Sequence, residues 1–233
     1  MDFAPFDTRR YPTLSVQDGY REWADTYEDT VLDLMDIRLL ERLREIDWRR
    51  TRRAADLACG TGRTGRWLRA AGVGYLDGLD FTQAMLERAR AANVYDRLLV
   101  RDMIDTGLDT AAYDLVTEVL GDEHLRDLGP LYREAGRLMA PGGHFVIVGY
   151  HPHFLMLGIV THFDRPSGEP VAIESHVHLT SDHVAAAHAA GFRLIEMVEG
   201  VIDDAWIARK PKWNAYRHHP VSFAMVWRRD ERG

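Results

Sequence analysis

Between two apolar stretches the chain carries Gly60-Thr-Gly62-Arg-Thr-Gly65, and this loop constrains the fold more than any other segment. Ala54-Ala-Asp-Leu-Ala reads as a short buried strand entering it. A helix from about Thr64 to Ala71 leaves it and is closed by Gly72-Val-Gly. Glycines lack Cβ, so they permit a tight turn and let a ligand approach the backbone, while the helix start presents free N–H groups. The string G-x-G-x-x-G also occurs in loops that hold nothing, so its surroundings must decide.

Those surroundings alternate strand and helix. Tyr75–Asp80 reads as a second strand, and Thr82 caps a helix to about Ala92 with Ala84, Met85, Ala89 and Ala92 inward. Arg97–Val100 and Tyr113–Glu118 are further strands. Leu128–Leu138 is a helix that ends before Ala140-Pro-Gly-Gly, and His144–Gly149 is a fifth strand. Such alternation implies a parallel sheet with right-handed crossovers. Ahead of it, residues 1–15 read as an irregular arm. Apolar residues from Val16 to Leu43 fall at helical spacing, giving one helix with Ser15 as N-cap, or two with a break near Asp29. After residue 150 come a histidine-rich stretch, a helix from Thr180, and strands from Phe192 and Ser222 joined by a polar, aromatic loop, Asp203–Pro220. Two late strands with no crossover helix suggest an antiparallel pair at one edge. The expectation is one α/β domain over 1–233. It has a helical N-terminal cap (1–50), a ligand-binding core (51–149), and an insertion with the C-terminal strands (150–233).

Composition narrows the function. A net charge of −7 argues against nucleic acid as partner, since a nucleic-acid binder normally carries a basic surface. Cys59 is the one cysteine, so no intramolecular disulfide forms. The N-terminus lacks the basic start and apolar run of a signal peptide, and no stretch has bilayer-spanning length. A cytoplasmic location is expected.

Two ligands suit the loop. A dinucleotide would place its pyrophosphate there and its ribose on an acid about 20 residues further on, a role open to Asp80. Three features favour a different adenosine ligand. Asp56, at the end of the first strand, suits an ammonium group rather than a diphosphate. Asp102, after the third strand, suits an adenine amine. The first strand begins only after a long helical lead-in, whereas dinucleotide domains often start near their fingerprint.

Asp56-Leu-Ala-Cys-Gly-Thr-Gly62 resembles the first motif of class I S-adenosylmethionine-dependent methyltransferases. Gly78-Leu-Asp80-Phe-Thr-Gln-Ala-Met resembles their second strand and following helix, and Arg101-Asp102-Met their adenine-binding turn. Leu138-Met-Ala-Pro-Gly-Gly-His-Phe-Val-Ile resembles their fifth strand with its preceding turn, and Gly19-Tyr-Arg-Glu-Trp-Ala-Asp-Thr-Tyr27 their N-terminal helix. The resemblance covers roughly 16–150, and Ala58 departs from the glycine frequent in the motif. It implies a Rossmann-like, doubly wound sheet of seven strands, mostly parallel, with S-adenosylmethionine as cofactor and S-adenosylhomocysteine as product. By position, Asp80 would hold the ribose hydroxyls, Phe81 and Met103 would sandwich the adenine, and Asp102 would accept from its amine. Gly60 and Gly62 would admit the methionine portion, Tyr20 would help close the site, and Glu118 and Val119 would approach the sulfonium. Tyr27, Ala58, Thr61 and Met85 complete the implied set. Periodicity alone would equally make Tyr20, Tyr27, Phe81 and Met103 ordinary core residues.

Methyl transfer is an in-line displacement that needs alignment and exclusion of water, and a hydroxyl or amine acceptor also benefits from a base. His124, after the fourth strand, and His151, after the fifth, are the catalytic candidates. His153, His162, His176, Trp206 and Trp213 are candidate contacts to a small-molecule acceptor, methylated at oxygen or nitrogen, with carbon an alternative. Glu174, His176 and His178 alternate as one strand face would, which makes them the metal set to weigh; no metal is the expectation. The loop from Asp203 to Pro220, with its interleaved basic and aromatic residues, reads as a lid over the acceptor. A nucleic-acid surface and a homodimer contact are the alternatives. The rival functions are an NAD(P)-dependent oxidoreductase and a non-catalytic cofactor-binding protein. The first lacks an evident Tyr-x-x-x-Lys pair and has no lysine before Lys210.

Overall fold

The computed structural model describes residues 1–32 and 34–229. In chain order the elements are β1 (Thr13–Leu14), α1 (Val16–Trp23), α2 (Tyr27–Thr30), α3 (Ile37–Leu40), β2 (Arg53–Leu57), α4 (Arg63–Ala71), β3 (Tyr75–Asp80), α5 (Gln83–Ala92), β4 (Arg97–Val100) and β5 (Tyr113–Val119). Then follow α6 (Gly129–Leu138), β6 (Met139–Tyr150), α7 (Pro152–Met156), β7 (His162–Asp164), β8 (Pro170–Ile173), α8 (Thr180–Ala189), β9 (Phe192–Val201), α9 (Asp204–Arg209) and β10 (Pro220–Arg229). Seven strands form one sheet in the order β4-β3-β2-β5-β6-β10-β9. The first five are parallel, and β10 runs antiparallel to both β6 and β9. This is the mixed, mostly parallel sheet expected.

The central strands read as continuous apolar runs because both faces of the sheet are covered. Alternate residues serve opposite cores. Val116, Phe145, Ile147, Met225 and Trp227 pack with α6, while Leu115, Val146, Val148, Ala224 and Val226 pack with α3 and α4. The strand order reverses between β2 and β5, so a crevice opens at their carboxyl ends, the usual ligand position in such sheets. Among the described residues no helix is long and apolar enough to cross a membrane.

The helical lead-in differs from the single or once-broken helix that its spacing suggests. Ser15 does cap α1, its side chain accepting from Asp18 N–H. The chain then breaks twice, because side chains compete for its carbonyls. Thr30 Oγ1 donates back to the carbonyls of Thr26 and Tyr27 and accepts from Trp23 Nε1, and Arg63 takes the Val31 carbonyl. The apolar positions therefore serve three separate clusters rather than one face. In α5 the buried residues are Met85, Leu86 and Ala89, not Ala84 or Ala92. The expected Ala140-Pro-Gly-Gly turn is drawn into β6 as an irregularity in its pairing with β5.

After β6 the chain adds a second sheet of three strands, β1-β8-β7. The polar, aromatic segment expected to be a loop folds as α9 and a 3-10 turn at Pro211–Tyr216. Asp203 caps α9, and Trp206, only 1% exposed, stacks on Trp213 at 4.7 Å between ring centroids.

Candidate functional site

A narrow cleft of about 50 Å³ lies over the carboxyl ends of β2, β3 and β5. Its floor is the glycine loop, where Ala58, Gly60 and Gly62 all have positive φ (51°, 54° and 85°). That conformation explains why glycine suits position 58, since alanine there is strained. Asp80, ending β3, accepts from the Gly60 N–H (3.0 Å) and the Thr82 N–H (2.7 Å). Burial pushes its carboxyl up against those donors. Phe81, Met85 and Met103 supply apolar walls, with Val119 and Gly121 from the end of β5 and Tyr20 and Tyr27 above. A carboxylate at a strand end, apolar side chains flanking it and an open glycine backbone fit an adenosine-bearing ligand.

A second, larger cavity of about 540 Å³ adjoins the first, and Tyr20, Tyr27 and Leu120 line both. Aromatic rings form much of its wall, among them Trp23, Tyr150, Phe154, Phe163, Trp206 and Trp213. At the junction, His124 Nδ1–H donates to the Glu174 carbonyl (2.7 Å), which leaves Nε2 as acceptor for the Tyr20 hydroxyl (2.8 Å). Burial, reinforced by Tyr27 and Glu123, pushes the Tyr20 phenol up, so it keeps the proton that it donates. Glu123 lines the same cavity. It is 2% exposed; its Oε1 accepts from Thr161 Oγ1 (3.0 Å) and lies 3.7 Å from His124 Nε2, while its Oε2 has no partner.

A methyltransferase-domain family model matches residues 55–147. An uncharacterised methyltransferase of Emericella nidulans is 25% identical over 84% of this chain and 82% of its own. The demethylmenaquinone methyltransferase of Thermus thermophilus is 30% identical, but the match spans only 49% of this chain and 59% of that one. A Mesorhizobium loti S-adenosylmethionine-dependent methyltransferase of known structure superposes with a TM-score of 0.65 and 24% identity, covering 86% of this chain and 99% of that chain. The chain is a class I S-adenosylmethionine-dependent methyltransferase. The dehydrogenase reading of the loop falls away.

In the methyltransferase, Tyr20, Tyr27, Ala58, Gly60, Asp80, Phe81, Met85, Met103 and Val119 meet in the narrow cleft. Five further expected cofactor contacts do not line it. Asp56 accepts from the Tyr95 and Thr117 hydroxyls (2.6 and 2.7 Å) beneath the loop, so its carboxylate is already spoken for. Thr61 turns its hydroxyl to Glu28. Gly62 caps α4, where a Cβ would press on Tyr95 and Ala89. Asp102 is exposed and accepts from Ile104 N–H. Glu118 is fully buried, and neither of its carboxyl oxygens has a hydrogen-bond partner.

On the acceptor side, His162, Trp206 and Trp213 line the large cavity. His151, His153 and His176 do not. His151 caps α7 and pairs with Glu199 (2.9 Å), His153 meets His219 (3.2 Å), and His176 meets Asp2 (3.2 Å). His124 reaches the junction, but both ring nitrogens are engaged. Among the described residues no three His, Cys, Asp or Glu side chains could hold a metal, and His178 donates to the Leu125 carbonyl instead. The segment from 203 to 217 is a packed wall of the cavity rather than a loop above it. Glu123 is the functional candidate missed on sequence. Its signal is Asp122-Glu123-His124 set directly after an apolar strand end.

Proposed function

We propose that this methyltransferase transfers a methyl group to oxygen or nitrogen of a small-molecule acceptor held in the 540 Å³ cavity. The observation that carries the reading is the junction itself: the cofactor cleft and the aromatic cavity meet at Tyr20, Tyr27 and Leu120. S-adenosylmethionine, when bound, supplies an electrophilic methyl on its sulfonium. Asp80 would hold the ribose, Phe81 and Met103 would flank the adenine, and Gly60 would let the methionine portion approach the backbone. Tyr20 and Tyr27 would exclude water where the reacting atoms meet. His124 is a positioning residue, because its ring fixes the Tyr20 hydroxyl rather than facing the acceptor.

The aromatic walls favour a flat or ring-containing acceptor. The likeness to a quinone methyltransferase points the same way. The test is incubation with methyl-labelled S-adenosylmethionine and a panel of phenols, hydroquinones and arylamines. Label in an O- or N-methyl product supports the proposal, and label only in proteins or nucleic acid would refute it.

A further inference from the structure

Three carboxyl groups cluster at the end of β5, and each has an oxygen without a partner: Glu118, Asp122 and Glu123. Of these three, Glu123 lines the large cavity, and Glu118 and Asp122 line neither of the two cavities described above. Glu118 is sealed in the core, and Asp122 lies 3.3 Å from the Nε2 of fully buried His183. A buried carboxyl oxygen left without a donor costs free energy, so its retention beside a cavity calls for a donor brought in from outside. The junction offers few rivals for that role. His124 has both nitrogens occupied, and the Tyr20 hydroxyl is committed to it.

We propose that Glu123 is the catalytic base: its free Oε2 receives the acceptor's O–H or N–H, orients that atom at the junction, and takes its proton. This rests on the methyl-transfer reading above and restricts the acceptors to hydrogen-bond donors such as phenols, alcohols and amines. The balance is simple. The acceptor oxygen or nitrogen forms the new bond to the methyl carbon, the carbon–sulfur bond breaks with its electron pair to sulfur, and the acceptor's proton moves to Glu123. Thr161 keeps the carboxyl in place through Oε1.

The groups around Glu123 set its acidity. Burial raises its pKa, as does Asp122 beside it, whereas His124 and the Thr161 hydroxyl lower it. Tyr20, Tyr27 and Tyr150, from α1, α2 and β6, also face it, and all three hold their protons. The net rise makes the carboxylate a stronger base than an exposed glutamate, and its function fails as the pH drops through its pKa.

Binding tests this without a known acceptor. Equilibrium dialysis of 2-naphthol and of 2-methoxynaphthalene, against protein saturated with S-adenosylhomocysteine, compares a donor with its capped twin. A hydrogen bond to a charged group predicts a preference for 2-naphthol of about tenfold or more at pH 8. The preference should fade as the pH falls. Glu123→Gln should reduce it to about threefold or less, and Glu123→Leu should erase it. Thr161→Val, which removes a donor to the carboxylate, should move the midpoint of the pH dependence upward, a shift that a purely structural role would not give. No preference in the wild type, or the same preference in Glu123→Gln, overturns the assignment. Separate titration with S-adenosylhomocysteine keeps the two readings apart. If it binds while the preference is missing, Glu123 alone is wrong; if it does not bind, the methyl-transfer reading fails.

Discussion

Asp56 is 1% exposed, and burial pushes its carboxyl up to about 6 from an ordinary 3.8 despite the hydroxyls of Tyr95 and Thr117. A carboxyl whose pKa is raised in the folded state favours folding while protonated. Its contribution is full below about pH 3.8 and is lost as the pH rises to about 6. The loss is about 3 kcal/mol, at 1.36 kcal/mol per pH unit. Asp56→Asn should therefore flatten the pH dependence of stability between pH 4 and 6, as read by denaturant unfolding. An unchanged slope would mean that Asp56 is ionised in the native state. At this scale the placement of the glycine loop, Asp80 and Phe81 around the narrow cleft was legible in the sequence, because it follows from strand ends and backbone freedom. Glu123 was not. What a buried carboxylate after a strand pairs with depends on residues far along the chain, here Thr161.

Elements in the core were legible for a related reason. β2 to β6 and the helices between them follow local periodicity and glycine punctuation. The departures lie where distant side chains decide. The lead-in splits because Thr30 and Arg63 claim its carbonyls, and β1, β7 and β8 are too short to announce themselves. One close inter-element fit lies beneath the loop. A Cβ at Gly65 would sit 2.3 Å from Tyr95, whose hydroxyl is tied to Asp56. Gly65→Ala should lower stability by about 1–3 kcal/mol. Combined with Tyr95→Leu, the loss should be clearly less than the sum of the single losses, because the two variants share one contact. Additive losses in thermal unfolding would contradict this fit.

Across the whole molecule, the large cavity is built from parts that the sequence presents as unrelated: the N-terminal arm, the α2–α3 segment, the chain after β6, and residues 203–217. Their meeting is set by tertiary packing, so the cavity was visible only as a set of aromatic and histidine residues of uncertain use. Removing 207–217, as a lid reading would suggest, would strip Trp213 from the buried Trp206 and disrupt the wall. A point change is the sharper probe. Trp213→Ala should weaken 2-naphthol binding about tenfold, on the scale of an aromatic contact with its area burial, and leave S-adenosylhomocysteine affinity unchanged. Equal weakening of both ligands would show that the two cavities do not divide the work.

The most direct measurement is a calorimetric titration of the wild type and of Asp80→Asn with S-adenosylhomocysteine, run beside NAD and NADP. The expected result is one-to-one binding of S-adenosylhomocysteine, no binding of either dinucleotide, and a loss of about 10- to 100-fold in Asp80→Asn, the scale of a hydrogen bond to a charged group. Binding of a dinucleotide without S-adenosylhomocysteine, or an Asp80→Asn variant with undiminished affinity, would contradict it.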